Sequence, residues 1–159
     1  MSLFRSNDYE KTQFPYQDDE MISQTNTPHE NAALTTFLLI DDNEDEAVLM
    51  SRVFEHRNRK KYRLLYAKDG YVGLALAQQK SPTVIISDLV MPGMDGFRLV
   101  RALRSNPNTR NIPIVITSAL DIDPDKRKEL KEHVSMIYQK GTLKPSEFAS
   151  RVIRVAEGK

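Results

Sequence analysis

Two short apolar runs, Phe37-Leu38-Leu39-Ile40 and Val84-Ile85-Ile86-Ser87, each break off at aspartate, the first at Asp41-Asp42 and the second at Asp88. Near-continuous Val, Ile and Leu without polar alternation marks strands covered on both faces, the environment of a parallel sheet flanked by helices. In open sheets of that kind ligands bind outside the carboxyl ends of the strands, where the strand order changes direction. Acids gathered at that place must share protons or hold a cation, because like charges at short range do not all stay ionised unpaired. The chain has no Cys, and none of its 3 His lies beside either acidic site. The ligand set is therefore hard oxygen, which suits magnesium or another hard divalent ion.

Length and charge narrow the class. At 159 residues the chain holds one domain with a real core and some chain to spare. Its net charge of +1 with 28% charged residues gives no reason to expect a nucleic-acid partner. The lack of Cys excludes disulfides and zinc-thiolate sites and fits a reducing cytoplasm. No stretch reaches the roughly 18 to 20 apolar residues of a membrane span, so no membrane partner is expected.

Residues 1–34 form a polar N-terminal tail or linker by composition, rich in Asn, Gln, Asp, Ser, Thr and Glu with single aromatics at Phe4, Tyr9, Phe14 and Tyr16. They bury too little apolar surface to offset ordering entropy. Met1-Ser2-Leu3 reads as an expression leader, which favours a piece excised from a longer protein. Residues 35–159 form the domain. A helix capped by Asp42 or Asn43 runs to about Asn58, followed by a strand over Tyr62–Tyr66. Asp69-Gly70 opens a second helix that stops before Pro82. Met91-Pro92-Gly93-Met94-Asp95-Gly96 is a turn that leads into a helix over Phe97–Ser105. A fourth strand spans Ile112–Thr117, with Pro113 at its start. A charged helix covers Asp125–His133, a fifth strand Val134–Gln139, and Pro145 starts a last helix to about Ala156. Five strand–helix units require parallel strands joined by right-handed crossovers, an α/β fold.

The text Leu38-Leu39-Ile40-Asp41-Asp42-Asn43, Ala67-Lys68-Asp69-Gly70, Ile86-Ser87-Asp88-Leu89-Val90-Met91-Pro92-Gly93-Met94-Asp95-Gly96 and Pro113-Ile114-Val115-Ile116-Thr117-Ser118-Ala119, closed by Lys140, resembles a response-regulator receiver domain. The likeness spans about Thr36 to Ala156. It implies a flavodoxin-like five-stranded parallel sheet in the order 2-1-3-4-5 with helices on both faces. It also implies that Asp88 accepts a phosphoryl group from a histidine kinase or a histidine phosphotransfer protein. Asp42, Asp88 and the backbone carbonyl of Val90 would coordinate magnesium, for which manganese can substitute, and Asp41 would act through water. Thr117 would hydrogen-bond a phosphoryl oxygen and Lys140 would offset another as a point charge. Such a domain is a phosphoacceptor with self-directed transfer and slow autodephosphorylation, not an enzyme acting on other substrates. Its output is a downstream protein target or a self-dimer.

Plainer readings exist for each element taken singly. Adjacent aspartates before a helix serve as caps, and Thr117 alone is an ordinary β-branched strand residue. Lys144, which precedes Pro145, competes with Lys140, since the family usually shows Lys-Pro where this chain has Lys140-Gly141; the end of the apolar run favours Lys140. Pro28-His29-Glu30-Asn31 faintly resembles a phosphodonor site, but it leaves no room for a helical bundle before the first strand. The usual aromatic three residues before the lysine is replaced by Ile137, with Tyr138 on the opposite strand face. The usual glycine ending the preceding helix is replaced by His133-Val134-Ser135. A scaffold or dimerisation module that ignores phosphate is the alternative function. A magnesium-dependent small-molecule phosphatase ranks last, because the chain offers neither a cap insertion nor a glycine-rich phosphate loop.

Overall fold

Ten elements alternate strictly in the computed structural model, which describes residues 33–159. They are β1 (Thr35–Ile40), α1 (Glu44–Asn58), β2 (Tyr62–Ala67), α2 (Gly70–Lys80), β3 (Val84–Asp88), α3 (Gly96–Ser105), β4 (Ile114–Ser118), α4 (Pro124–Lys131), β5 (Met136–Gln139) and α5 (Pro145–Ala156). The strands form one parallel sheet in the order β2-β1-β3-β4-β5, as expected. The N-terminal segment through residue 32, including its leader-like start and His29, lies outside the described residues.

The alternation within each strand builds two cores. Leu38 and Ile40 of β1 join Ile85, Ile114 and Ile116 beneath α2, α3 and α4, where Leu76, Leu99, Leu103 and Leu130 close the layer. Phe37 and Leu39 face the other way, with Val84, Ile86 and Val115, against Phe54 of α1 and Phe148 and Val152 of α5. This segregation of helices follows from crossover handedness. The chain moves one way from β1 to β2 and the other way from β2 through β5, so connections of one hand must lie on opposite faces. The reversal leaves β1 and β3 as neighbours at the point where the topology switches.

The boundaries around β4, α4 and β5 differ from expectation. Pairing of β4 begins at Ile114, not Ile112: Pro113 has no N–H to give, although its carbonyl still accepts from Ile85 at 3.0 Å. The α4 helix begins at Pro124, because Asp123 accepts the Asp125 and Lys126 N–H groups as its cap. It ends at Lys131, and His133 and Val134 donate back to Leu130, so β5 starts only at Met136.

The helix end without glycine is held by an arginine. Arg104 of α3 donates from Nε (2.9 Å) and Nη2 (2.7 Å) to the carbonyl of His133, and from Nη1 to the carbonyls of Arg110 and Ile112, both at 2.9 Å. The planar guanidinium thereby ties the end of α3, the approach to β4 and the approach to β5. Burial alone pulls its pKa below the usual arginine value.

Candidate functional site

Strand register brings the polar residues together. Asp41 follows directly on Ile40, which pairs with Ser87, so Asp41 lies beside Asp88 at the ends of β1 and β3. Asp88 pairs with Thr117, and Lys140 follows Gln139, the partner of Ser118, with its own N–H donating to Ser118 at 2.8 Å. Four adjacent strand ends thus deliver Asp41, Asp88, Thr117 and Lys140 to one edge of the sheet. Asp42 adds its carboxylate from the first step beyond β1.

Local chemistry fixes the two loops that frame this edge. Asn43 caps α1 by accepting the N–H groups of Asp45 and Glu46, and its own N–H donates to Asp41 Oδ1 at 2.8 Å. The tie orients Asp41 before the helix starts. After β3, the Gly96 N–H returns to the Leu89 carbonyl at 2.8 Å and closes the turn. A Cβ at Gly96 would stand 2.9 Å from the Asp88 carbonyl oxygen and 2.8 Å from Leu89 Cα, so only glycine admits so tight a closure. At the tip, Gly93 takes φ +79°, a left-handed turn that favours glycine.

Oxygens of Asp41, Asp42 and Asp88 lie within 4.8 Å of one another. Asp41 is 2% and Asp88 8% exposed, whereas Asp42 is open to solvent. The Lys140 ammonium reaches Asp41 at 3.1 Å, Asp88 at 3.3 Å and Glu46 of α1 at 2.6 Å. Burial raises the Asp41 and Asp88 carboxyls above their ordinary value, and Lys140 pulls in the other direction. For Lys140, burial works against the charge, but Glu46, Asp41 and Asp88 outweigh it and the pKa rises. Thr117 Oγ1 is turned to the Ser87 carbonyl at a long 3.5 Å, and the Val90 N–H donates weakly to Asp88 Oδ1 at 3.4 Å. Lys144 stands apart from the cluster, at the N-cap of α5, where Glu147 accepts its backbone N–H.

Two participants were not singled out in the sequence. Glu46 is the third residue of α1, and its spacing from Asn43 is that of a capping-box acid, which hid its second role. Tyr66 of β2 donates its hydroxyl to the Asp41 carbonyl at 2.9 Å. Burial, with nearby Glu44 and the aspartates, pushes the Tyr66 phenol up to about 12.

An all-oxygen cluster of three convergent carboxylates, two of them buried, has the donor chemistry of a hard divalent cation, so the residues present fit such an ion. The sequence pattern of the response regulator receiver domain matches residues 37–152. The chain belongs to that family.

Similar proteins include response regulator PleD of Caulobacter vibrioides, 37% identical over 62% of this chain and 21% of its own length. Protein PilH of Pseudomonas aeruginosa is 33% identical over 58% of this chain and 74% of its own. The chain thus spans about a fifth of the length of PleD. Among solved structures, the Vibrio cholerae chemotaxis protein CheY4 superposes with a TM-score of 0.67 at 28% identity, covering 77% of this chain and 99% of that one. The receiver domain of a signal transduction histidine kinase from Syntrophus aciditrophicus gives 0.68 at 27% identity, covering 78% and 91%. Within this receiver domain, no helix among the described residues is long and apolar enough to cross a membrane.

Proposed function

We propose that this receiver domain takes a phosphoryl group onto Asp88 from a phosphohistidine on a histidine kinase or phosphotransfer protein, and that the acyl phosphate changes its affinity for a protein target. The observation that carries the reading is the meeting of Asp41, Asp42 and Asp88 with Lys140 and Thr117 at the topological switch point. An Asp88 carboxylate oxygen attacks phosphorus in line. The P–N bond to imidazole breaks, and the leaving nitrogen takes its electron pair and then a proton. A carboxylate is a weak nucleophile, so such a step rests on positioning and charge neutralisation.

Magnesium would be held by Asp42, Asp88 and the Val90 carbonyl, with Asp41 acting through water; when bound it neutralises charge that would otherwise repel a dianionic donor. The protein's own groups do the rest. Lys140 supplies a fixed positive charge beside Asp88. Thr117 offers a hydroxyl from the neighbouring strand end, already close to the β3 backbone. The backbone around Gly96 holds the turn after Asp88 closed. A cytoplasmic setting, a kinase-type donor and a protein target or self-dimer belong to this same reading.

Labelling with a small phosphodonor such as acetyl phosphate tests it. Wild type is expected to acquire one acid-stable, base-labile phosphoryl group only with magnesium present, and Asp88→Asn none. Equal labelling of the two proteins, or labelling indifferent to magnesium, would leave the scaffold reading in its place.

A further inference from the structure

Two of the three carboxylates that the Lys140 ammonium serves belong to a ring of hydrogen bonds closed on the start of α1. Lys140 Nζ donates to Glu46 Oε2 at 2.6 Å and to Asp41 Oδ2 at 3.1 Å. Asn43 closes the ring, giving its backbone N–H to Asp41 Oδ1 at 2.8 Å and its Nδ2 to Glu46 Oε1 at 3.4 Å. Asp88 Oδ2 receives the remaining donor at 3.3 Å, the longest contact of the ammonium. Lys140 therefore leans toward α1 and away from Asp88. Local sequence explains why Glu46 reaches it. An acid at the third position of a helix normally bonds back to the backbone N–H of the cap. Here the Asn43 N–H is already taken by Asp41, and the Glu46 carboxylate turns to Lys140 at the end of β5 instead.

A phosphoryl group on Asp88 would present further oxygens to the same ammonium. A lysine has three N–H donors, and those of Lys140 are all engaged beforehand. A closer approach to the phosphoryl oxygens must open the ring, and its weakest side can be named. Asp41 is buried, with no solvent to replace its counter-charge. Glu46 is half-exposed and its tie to Asn43 is long, so water can take over from Lys140 there. An ion pair of such exposure corresponds to a preference of up to about fivefold, small enough to be broken in each cycle and large enough to be measured.

We infer that Glu46 is a positioning residue that restrains Lys140, and that the ammonium must part from Glu46 before it can stand against a phosphoryl group on Asp88. The inference rests on the reading of Asp88 as the phosphoacceptor. Glu46 touches neither donor nor acceptor in this role. It acts through Lys140 and sets how readily Asp88 is phosphorylated.

Labelling of the full chain by acetyl phosphate with magnesium present, over a range of donor concentrations, tests it with two variants. Glu46→Gln keeps the side-chain length and loses the charge; Glu46→Asp keeps the charge and falls one methylene short of Lys140. Both are expected to raise the maximal labelling rate about two- to fivefold over wild type, with half-saturation unchanged. A gain confined to Glu46→Gln, or one that appears only as tighter half-saturation and vanishes at about 0.5 M salt, would overturn the inference in favour of simple repulsion of the anionic donor. Labelling of either variant at or below the wild-type rate would overturn it too, while the phosphoacceptor reading stood on the contrast between wild type and Asp88→Asn. Failure of wild type itself to label would remove that reading, and the inference with it. A second measurement needs neither magnesium nor donor. In spectra of the metal-free protein the Lys140 Nζ resonance should shift in both variants, while amides remote from the acidic edge stay in place and verify the fold. An unmoved Nζ resonance would show that Glu46 does not hold Lys140 in solution, and would overturn the inference as well.

Discussion

The ammonium of Lys140 lies 2.6 Å from Glu46 but 3.3 Å from Asp88, so its shortest ion pair is with a residue outside the three-aspartate cluster. The two pairs differ in surroundings more than in length. The Glu46 side chain is 42% exposed, and water competes for it. Asp41 and Asp88 are buried and depend on Lys140 for compensation. In metal-free protein, Glu46→Gln is expected to cost less than about 1 kcal/mol. Lys140→Ala should cost about 2–4 kcal/mol, because it leaves two buried carboxylates without a counter-charge. Urea unfolding of both variants checks the ordering; equal losses would mean that the half-exposed pair carries the stability.

The pH dependence of the metal-free fold should run against the usual pattern at this site. Burial, offset in part by Lys140, leaves Asp41 and Asp88 holding their protons more tightly in the fold than in the unfolded chain. A raised carboxyl pKa contributes stability that is complete below the ordinary value of 3.8 and is lost as pH rises through the raised values. At neutral pH the ionised Asp88 therefore weighs on the fold. Asp88→Asn is expected to stabilise metal-free protein at pH 7, by an amount on the order of 1 kcal/mol. That advantage should shrink toward zero below about pH 4, where wild-type Asp88 is protonated too. Denaturant midpoints at the two pH values decide it. A variant less stable than wild type at pH 7 would contradict the assignment.

The strands and the cluster were legible because both rest on simple rules. Runs such as Val84 to Ser87 admit one environment, and an acid at a strand end has one place to go once the strands are parallel. Lys140 was separable from Lys144 for the same reason, since only Lys140 directly follows a strand. What escaped were partners set by tertiary packing. Glu46 carries a cap signature that accounts for it without any ion pair, and Arg104, half-buried in the fold, reads in the sequence like any other arginine of an amphipathic helix. The three carbonyls Arg104 joins lie 6, 8 and 29 residues away, a relation no local pattern encodes. The starts of β4 and β5 were misplaced because hydropathy continues through Ile112 and Val134 although pairing does not.

Arg104 should prove to be a structural residue out of proportion to its position. Its fork serves three backbone carbonyls at once, and a lysine ammonium lacks the planar geometry to do so. Arg104→Lys is expected to destabilise the domain by roughly 1–3 kcal/mol through carbonyls left unsatisfied. Hydrogen exchange should localise the weakening to the segments around Arg110–Ile112 and His133–Ser135. Uniform loss of protection across the sheet, or a change below about 0.5 kcal/mol, would show that solvent replaces the clamp.

Tyr138 is the only aromatic in β5, yet it belongs to the α5 side of the sheet. Its ring stacks on Phe148 with centroids 4.3 Å apart, and its hydroxyl donates to the Leu143 carbonyl at 3.3 Å. Ile137, its neighbour, packs with the core under α2, α3 and α4. Neighbouring strand residues cannot exchange faces without a register slip. Tyr138 therefore cannot take the place of Ile137, although it pairs in register with Thr117 and lines the same cavity as Asp41 and Lys140. Tyr138→Phe keeps the stack and loses one hydrogen bond, with an expected cost of about 0.5–1.5 kcal/mol. The rate of labelling by acetyl phosphate should stay within about twofold of wild type, a barrier change of no more than about 0.4 kcal/mol. A labelling rate that collapses in Tyr138→Phe while stability holds would mean that the hydroxyl leaves Leu143 and enters the acidic site.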